Sequence, residues 1–285
     1  MTLPGRPATF AAMVNVAVSA QERRYPPWLA DVAGRSQRLR IGGTIIYRAV
    51  TASTNDDARA LARQGAPEGL VVLADEQTHG RGRLGRKWYA PAGTSLLLSV
   101  ILRPSLPLER AAQLTMLMGL ATLDAIKSVT GLEAGLKWPN DIVLGERKAG
   151  GILSELESDG GLVRWAVVGL GLNVNCDMST FPEVAASATS LQAVAGAEVN
   201  RAELLLALLR SLSVRYVRFK RGQQPYDEWQ AHLRTLGQPV EVECGVERLE
   251  GTAEFASPEG NLFIRLGDGT LREISAGDVK LRPVP

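Results

Sequence analysis

The order of hydrophobic and polar positions divides the chain into a long part with helices and strands and a short part with strands alone. In the long part, short apolar runs bounded by Gly, Pro or polar residues predict strands. These runs cover residues 41–50, 70–74, 94–102 and 164–168. Apolar residues on a helical period predict helices at 108–129 and 201–220. Such a chain is expected to form an α+β domain, in which a mixed β-sheet is flanked by helices.

Beyond Gly237 the pattern changes to short segments of alternating polarity. Turn-forming sequences at 258–261 and 267–269 separate these segments, as expected for hairpins. The last part of the chain, about 50 residues long, is therefore expected to form a small antiparallel β-barrel or sheet. We predict an N-terminal extension at 1–40, a main domain at 41–236 and a β-barrel at 237–285.

Composition argues against several classes of protein. The 285 residues are 45% hydrophobic and 22% charged, which is an ordinary globular composition. The net charge of +2, from 32 basic and 30 acidic residues, is too balanced for a general nucleic-acid binder. Cys176 and Cys244 are far apart, so we expect neither a zinc site nor a disulfide framework, and we expect both side chains to be buried.

The N-terminal segment and the hydropathy bear on where the protein works. Residues 8–20 mimic the apolar core of a secretory signal, but Pro7 precedes the run and Asn15 interrupts it. No apolar run approaches the roughly 20 residues that cross a bilayer. We expect a cytoplasmic protein that does not enter the membrane.

A basic, glycine-rich stretch at 75–88 is the strongest chemical signal in the chain. Its sequence is D-E-Q-T-H-G-R-G-R-L-G-R-K-W, and it follows directly after a predicted buried strand. Arginine donates in a planar fork that suits phosphate and carboxylate oxygens, and glycine lets a ligand approach the main chain. We therefore expect the stretch to bind an anion and to be mobile until that ligand arrives. A solvated basic turn, or a patch that binds nucleic acid, is the alternative.

Three further polar stretches are predicted to lie at strand ends. S-T-N at 53–55 begins a predicted helix, where it can cap the helix or form a polar ligand site. K-W-P-N-D at 137–141 forms a tight turn, and Lys148, which precedes two glycines, extends to solvent or points at a ligand. In G-L-G-L-N at 169–173 the glycines permit close approach, and Asn173 is a candidate contact for a base, a ribose or a metal-bound phosphate.

Taken together and in this order, the four stretches resemble the motifs of the biotin protein ligases. The matching sequences are S-T-N-D, G-R-G-R-L-G-R-K-W, K-W-P-N-D-I, R-K-A-G-G-I-L-S-E and G-L-G-L-N-V-N, and the likeness covers residues 42–282. The resemblance implies a class II synthetase-like catalytic domain and a C-terminal SH3-like β-barrel. It also implies that biotin and ATP, with Mg²⁺, form biotinyl-5′-adenylate. Biotin would then pass to a lysine of the biotin carboxyl carrier protein domain of a carboxylase.

The resemblance also assigns roles to individual residues. Biotin would contact Ser53, Thr54, Asn55, Gln77, Arg81, Gly82, Arg83, Trp88, Lys148 and Gly151. ATP would contact Arg83, Lys137, Asn140 and Asn173, and Mg²⁺ would be held by Asn173 and the phosphates. Catalysis would depend on Arg83, Lys148 and Asp141, with Asp141 helping to deprotonate the acceptor lysine.

Two rival interpretations stay open at this point. A lipoate-type ligase has a related core and chemistry, although the basic stretch and K-W-P-N-D favour biotin. A non-enzymatic nucleic-acid binder is disfavoured by the near-neutral charge and by the lack of aromatic stacking positions within the loop. The region before residue 41 is short for the winged-helix domain of the repressor type, so we expect a monofunctional enzyme without a DNA role. Whether the protein forms a homodimer stays open.

Overall fold

The structure, a computed structural model, describes residues 25–244, 247–275 and 277–281, so the signal-like stretch at 8–20 lies outside it. The first helix, α1 (Pro27–Ser36), begins with a proline, whose fixed backbone angle and missing N–H suit the first helical position. Its residues Leu29 and Val32 are buried in the main core. No helix within the described ranges combines the length and the apolar character that spanning a bilayer requires.

Seven strands form a mixed sheet at the centre of the larger part of the molecule. They are β1 (Ile45–Thr51), β2 (Val71–Gln77), β3 (Ser95–Leu102), β4 (Gly135–Lys137), β5 (Asp141–Leu144), β6 (Arg147–Asp159) and β7 (Leu162–Asn173). Their spatial order is β1-β2-β3-β7-β6-β5-β4. β1 and β2 are parallel, and the other neighbours are antiparallel. The parallel pair requires a crossover, which helix α2 (Thr54–Arg63) supplies.

Helices cover the two faces of this sheet. α2 packs on one face, where Ala58 shares a small core with Ile46. The long helices α3 (Ala112–Thr130) and α5 (Arg201–Lys220) belong to the main core on the other face. Because side chains alternate along a strand, the neighbours Ile45 and Ile46 enter different cores. The short helices α4 (Leu191–Ala195) and α6 (Tyr226–Ala231) complete the set that is described here. The predicted fold class is thereby confirmed.

The start of α3 corrects one predicted boundary. The helix begins at Ala112 and not at residue 108, because Leu108–Arg110 form a separate 3₁₀ turn. It ends at Thr130, one residue beyond the predicted end. Gly131 follows, and its φ of 72° is the left-handed conformation that favours glycine. α5 has the predicted bounds. Asn200 caps it by accepting the N–H of Ala202 at 2.9 Å.

The glycine-rich stretch at 169–173 lies inside a strand and not beyond its end, which corrects another prediction. β7 continues to Asn173 and pairs with both β3 and β6 along this stretch. A Cβ atom on Gly169 would lie 2.2 Å from Asn55 Oδ1, and one on Gly171 would lie 2.6 Å from the Trp88 ring. These glycines therefore make room for other side chains of the protein, and the chain remains fully extended around them.

The C-terminal part forms a second, antiparallel sheet, as predicted. Its strands are β8 (Pro239–Cys244), β9 (Glu247–Ala256), β10 (Leu262–Leu266), β11 (Leu271–Ile274) and β12 (Asp278–Leu281). They are arranged in the order β11-β10-β9-β8-β12. Several hydrogen bonds attach this sheet to the larger part. Among them, Trp138 Nε1 donates to Gly260 O and the Tyr226 hydroxyl donates to Ala256 O, each at 2.7 Å. The turn between β9 and β10 is thus held beside the turn between β4 and β5.

Candidate functional site

One cavity of about 470 Å³ collects the four polar stretches that the sequence singled out. Every residue predicted for the site lines it, from Ser53 at one end of the chain order to Asn173 at the other. The stretches come from the start of α2, the β2–β3 loop, the β4–β5 turn with β6, and the end of β7. The sheet thus brings together segments that are far apart in sequence, and the individual roles of their residues remain predictions.

The start of helix α2 is capped by a side chain from strand β2. Ser53 occupies the N-cap position, but neither it nor Thr54 makes the predicted capping bond with its own side chain. Instead, Gln77 Oε1 accepts the main-chain N–H of Thr54 at 2.8 Å and its hydroxyl at 3.1 Å. The hydroxyl of Ser53, on a residue that is nearly fully buried, is thereby left to line the cavity.

Asn55 is fixed by a network that the sequence did not reveal. Its Nδ2 donates to Glu155 Oε2 at 2.8 Å and to Leu153 O at 3.2 Å, while the Ser99 hydroxyl lies 2.6 Å from its Oδ1. Arg59 in turn donates to Glu155 at 2.6 Å. This end of the cavity is therefore polar, buried and already ordered. Ser99 could have been noticed only as a polar break in an apolar strand, whereas Glu155 ends the matching sequence R-K-A-G-G-I-L-S-E but was given no role.

The basic loop closes one side of the cavity. Its base is a bridge in which Trp88 N donates to Gly80 O at 2.9 Å, and its tip carries Leu84, which has a φ of 55° and is 75% exposed. Arg81, predicted to bind the ligand, forms an ion pair with Asp56 Oδ1 at 2.6 Å. The loop is therefore tied to the first turn of α2 as well as to its own strands.

Trp88 lies in the space that the glycines leave open. Its ring packs against Gly171 and lies near Gly151, where a Cβ atom would be 3.4 Å from the ring. The indole Nε1 is buried and has no hydrogen-bond partner among the described residues. Since buried donors are nearly always paired in proteins, this atom is a candidate for contact with a bound molecule.

Lys148 projects into the cavity and not to solvent alone. Its Nζ lies 2.5 Å from Asp141 Oδ1 and 5.7 Å from the centre of the Trp88 ring. Asn140, predicted to contact ATP, uses its Nδ2 to donate to Ile152 O at 2.5 Å. Asn140 therefore ties the β4–β5 turn to β6 and also lines the cavity, as Lys148 and Asp141 do.

Asn173 ends β7 as an almost fully buried residue with one unsatisfied atom. Its Nδ2 donates to Thr189 O at 3.0 Å, but its Oδ1 has no partner in the part of the chain that the structure describes. No group of three or more His, Cys, Asp or Glu side chains that could hold a metal occurs there either. A single amide oxygen fits Mg²⁺, which keeps several waters and takes its other ligands from substrate phosphates.

An apolar wall lines part of the cavity, and the sequence did not predict it. Met178, Val184 and Ala188 line the cavity and pack with one another and with the ring of Phe181. Phe181 in turn lies 5.3 Å from the ring of Tyr89 in the basic loop. The signal for this wall was a set of scattered apolar residues within a predicted loop, which is too weak to identify a surface.

The buried thiol beside this wall agrees with the expectation for Cys176. The residue is 2% exposed, and its sulfur lies 3.4 Å from that of Met178. Burial raises the pKa of the Cys176 thiol, so the neutral form is favoured and a nucleophilic role is unsupported. The side chain of Cys244 lies outside the described part of the structure.

The arrangement combines a neutral hydrogen-bonding end with a cationic end. Six cations line the cavity: Arg81, Arg83, Arg86, Lys87, Lys137 and Lys148. Two carboxylates, Asp141 and Glu146, line it as well. Positive charge in excess at a partly enclosed site stabilises phosphate and carboxylate groups and the charge that develops when such groups react. Such a site suits the joining of a carboxylate to a nucleotide.

Two protein-family models match the chain. The Biotin/lipoate A/B protein ligase family matches residues 47–173, and the Biotin protein ligase C terminal domain matches residues 235–282. The chain therefore belongs to the biotin/lipoate A/B protein ligase family. Its second match and the relatives below place it among the biotin protein ligases, which confirms the resemblance found in the sequence.

Relatives and solved structures agree with this assignment. The chain is 34% identical over 244 residues to the bifunctional ligase/repressor BirA of Bacillus subtilis, covering 85% of this chain and 75% of that protein. It is 37% identical over 238 residues to the biotin–acetyl-CoA-carboxylase ligase of Mycobacterium tuberculosis, covering 81% and 86%. The biotin protein ligase from Aquifex aeolicus in complex with biotin and ATP superposes with a TM-score of 0.71 at 30% identity, covering 84% of this chain and 98% of that one.

Proposed function

We propose that this protein joins biotin and ATP to give biotinyl-5′-AMP and pyrophosphate, and then transfers biotin to one lysine of a biotin carboxyl carrier domain. The observation that carries the proposal is the convergence of four separate sequence stretches on one cavity that is neutral and polar at one end and cationic at the other. Membership of the biotin protein ligases supports the choice of substrates.

The neutral end of the cavity is the proposed site of the biotin ring. Ser53, Thr54, Asn55 and Gln77 offer hydroxyl and amide groups there, and most of these are already held by neighbouring side chains. Trp88 and Gly151 would border the tail that follows the ring. Preorganised donors and acceptors recognise a neutral polar ring with little loss of side-chain entropy, so this end would supply specificity.

The cationic end is the proposed site of the reacting groups. Arg81, Gly82, Arg83 and Lys148 would hold the biotin carboxylate and the α-phosphate, and Lys137, Asn140 and Asn173 would hold the rest of the nucleotide. Mg²⁺, when bound at Asn173 Oδ1 and the phosphates, would neutralise charge on the departing pyrophosphate. These roles rest on position in the cavity and on the chemistry of each side chain.

The first step needs no nucleophilic side chain. A biotin carboxylate oxygen bonds to the α-phosphorus, and the bond from that phosphorus to the bridging oxygen breaks as pyrophosphate leaves. Lys148, held 2.5 Å from Asp141, would stabilise the negative charge on the acyl phosphate. In the second step Asp141 would accept the proton that the acceptor amine must lose.

The free edge of β6 supports the proposed docking of the carrier domain. β5 pairs with β6 only as far as Gly151, so residues 153–159 have a strand neighbour on one side alone within the described structure. Leu156 and Leu162 are 36% and 50% exposed near this edge. An unpaired edge beside exposed apolar residues suits a strand from another chain. A homodimer would use the same edge, and sedimentation of the protein alone distinguishes the two occupants.

Three further assignments concern the domain boundary, the compartment and a DNA role. We propose the division of the chain at residue 236, because the strands beyond it form a separate sheet. We also propose a cytoplasmic, monofunctional enzyme, since the net charge of +2 gives no support for a DNA-binding surface. Specific retardation of the DNA upstream of its own gene would contradict the monofunctional assignment.

Intact-mass measurement of a carrier domain tests the proposed function. The full chain is mixed with ATP, Mg²⁺, biotin and a purified biotin carboxyl carrier domain, and the carrier is expected to gain one biotinyl group. A carrier whose acceptor lysine is replaced by arginine is the matched control. Absence of the added mass, or an equally fast gain of lipoate when lipoate replaces biotin, would refute the proposal.

A further inference from the structure

A second cavity, of about 330 Å³, lies between the larger part of the molecule and the C-terminal sheet. The first turns of α3, the strand β6 and the β9–β10 turn form its walls. Leu84, Glu259 and Ser275 are the exposed residues of its rim. None of these three residues belongs to the site described above, so the cavity has no function assigned to it so far.

The two cavities share a wall. Arg83, Pro139, Asn140, Ile152 and Leu153 line both of them. The Arg83 guanidinium also reaches the C-terminal sheet, since its Nη1 donates to Gly277 O at 3.5 Å. Arg83 and Asn140 therefore lie between the two cavities, next to the proposed site of the acyl phosphate.

The two cavities differ in charge. Six cations and two carboxylates line the first, whereas Arg83 and Glu259 are the charged residues that line the second. Glu259 is exposed, and it has no ion-pair or hydrogen-bond partner anywhere in the described ranges. The first opening therefore attracts anions such as the nucleotide, and the rim of the second carries an unneutralised negative charge.

We propose that the second cavity is the passage by which the acceptor lysine of the carrier domain reaches the acyl-adenylate, with Glu259 attracting its ammonium group. The inference rests on the proposed function, because it assigns a route to that reaction's second substrate. An ammonium group that approached through the first opening would pass several arginines and lysines. Separate openings allow the anionic and the cationic substrates to approach without mutual obstruction.

The walls of the second cavity suit a lysine side chain. Met116, Trp229 and Leu84 are apolar and fit the four-carbon stem, while the hydroxyls of Thr115 and Ser154, 2.8 Å apart, offer polar contacts. Ser154 also lies on the unpaired edge of β6. A carrier strand that docks on that edge would therefore present its lysine beside this cavity.

The chemistry at the end of the passage balances without any further reactant. The neutral lysine nitrogen bonds to the acyl carbon, and the bond from that carbon to the phosphate oxygen breaks. AMP leaves with the electron pair, the amide forms, and one proton is released from the nitrogen. The passage needs to deliver only the amine.

Charge reversal at the rim tests the passage in the full-length enzyme. Glu259→Lys is expected to raise the KM for the carrier domain about fivefold to tenfold, and the effect should shrink in 1 M salt, where screening acts over about 3 Å. Ser275→Trp, which narrows the rim, should lower kcat/KM for the carrier. Both variants should keep wild-type biotin-dependent ATP–pyrophosphate exchange and wild-type trapping of the adenylate by hydroxylamine, which is small enough to use either opening.

Glu133→Lys is the matched control, because it makes the same charge change at an exposed residue beyond the far end of α3. The cavity wall includes Met116, so the 14 helical residues 117–130 separate Glu133 from it, which is about 21 Å. A carrier KM within twofold of wild type in both rim variants would overturn the passage, as would an equal effect of Glu133→Lys. Absence of pyrophosphate exchange in the wild type would refute the proposed function instead.

Discussion

Two buried polar regions of the molecule differ in whether their hydrogen bonds are complete. Glu68, in the turn before β2, accepts bonds from the Tyr216 hydroxyl at 2.7 Å, from Lys220 at 3.2 Å and from Arg103 N at 3.1 Å, and it also pairs with Arg40. In the 470 Å³ cavity, by contrast, buried atoms of Trp88 and Asn173 have no partner within the described structure.

This difference separates a structural region from a binding region. At Glu68, burial alone would raise the carboxyl pKa, but the bonds from Tyr216, Arg40 and Lys220 outweigh it and lower the pKa overall. The Glu68 carboxylate is therefore stabilised in its charged form by the protein's own donors, and it needs no ligand to complete its hydrogen bonds. A buried polar atom without a partner costs the free energy of the hydrogen bond that it does not make. Such atoms therefore indicate where a bound ligand can supply the missing hydrogen-bond partner.

The largest expected effect concerns Lys148, in the cavity that we assign to binding. Lys148→Met should lower biotin-dependent pyrophosphate exchange about 100- to 1,000-fold, because it removes a positioned charge from the reacting phosphate. Its free energy of unfolding should change little, since the side chain is 38% exposed. Lys127→Met, an equal change at an exposed residue on α3, is the control and should keep full exchange. Equal rates of pyrophosphate exchange in the two variants would show that Lys148 takes no part in the reaction.

The next effect concerns stability and not activity. Glu68→Gln should lower the free energy of unfolding by about 2 kcal/mol, because it leaves several donors facing a neutral amide. Urea titration followed by circular dichroism measures this loss. The KM values for biotin and ATP should stay within twofold of wild type at a temperature at which the variant is folded. A Glu68→Gln variant that is fully stable but has lost activity would contradict the purely structural function that we assign to the Glu68 region.

A third effect tests the unpaired oxygen of Asn173. Asn173→Ala should raise the Mg²⁺ concentration that gives half-maximal exchange about tenfold, since the amide oxygen would no longer meet the metal. The KM for biotin, measured at saturating Mg²⁺, should change far less. A variant with an unchanged Mg²⁺ requirement would show that this oxygen serves some other group.

The smallest expected effect is the pH dependence of stability at Glu68. A carboxylate whose folded pKa is lowered stabilises the fold above its unfolded value, about 4.3, and this contribution disappears as the pH falls through the folded pKa. The difference in unfolding free energy between wild type and Glu68→Gln should therefore be constant near neutral pH and shrink below about pH 4. A difference that grows on acidification would contradict the lowered pKa.

The sequence predicted those features that depend on local pattern. Apolar runs identified the buried strands, the helical period identified α5 to its terminal residues, and every residue that we predicted for the site lines the cavity. Features that depend on distant partners were missed. The capping of Thr54 by Gln77, from another strand, is one such case. The continuation of β7 through two glycines, whose space is filled by Asn55 and Trp88, is another.

The second cavity is another feature that the sequence did not predict, because it is formed by segments that are distant in the chain. Its walls come from the basic loop, the β4–β5 turn, α3, β6 and the C-terminal sheet. The loop, the turn and β6 contribute motif residues such as Arg83 and Asn140, but α3 and the C-terminal sheet carry no recognisable motif at the positions that meet there. Glu259 belongs to a hairpin turn, where an acidic residue is ordinary. Only the packing of the two sheets, through bonds such as that from Trp138 to Gly260, places it at an opening.

The central claim is that one cavity holds biotin and ATP so that they react with each other. Exchange of labelled pyrophosphate into ATP by the unmodified protein tests it most directly, because exchange requires reversible formation of the acyl-adenylate and no carrier. The account predicts exchange that depends on both biotin and Mg²⁺ and that lipoate does not support. Exchange that proceeds without biotin, or none at all by the folded protein, would contradict it.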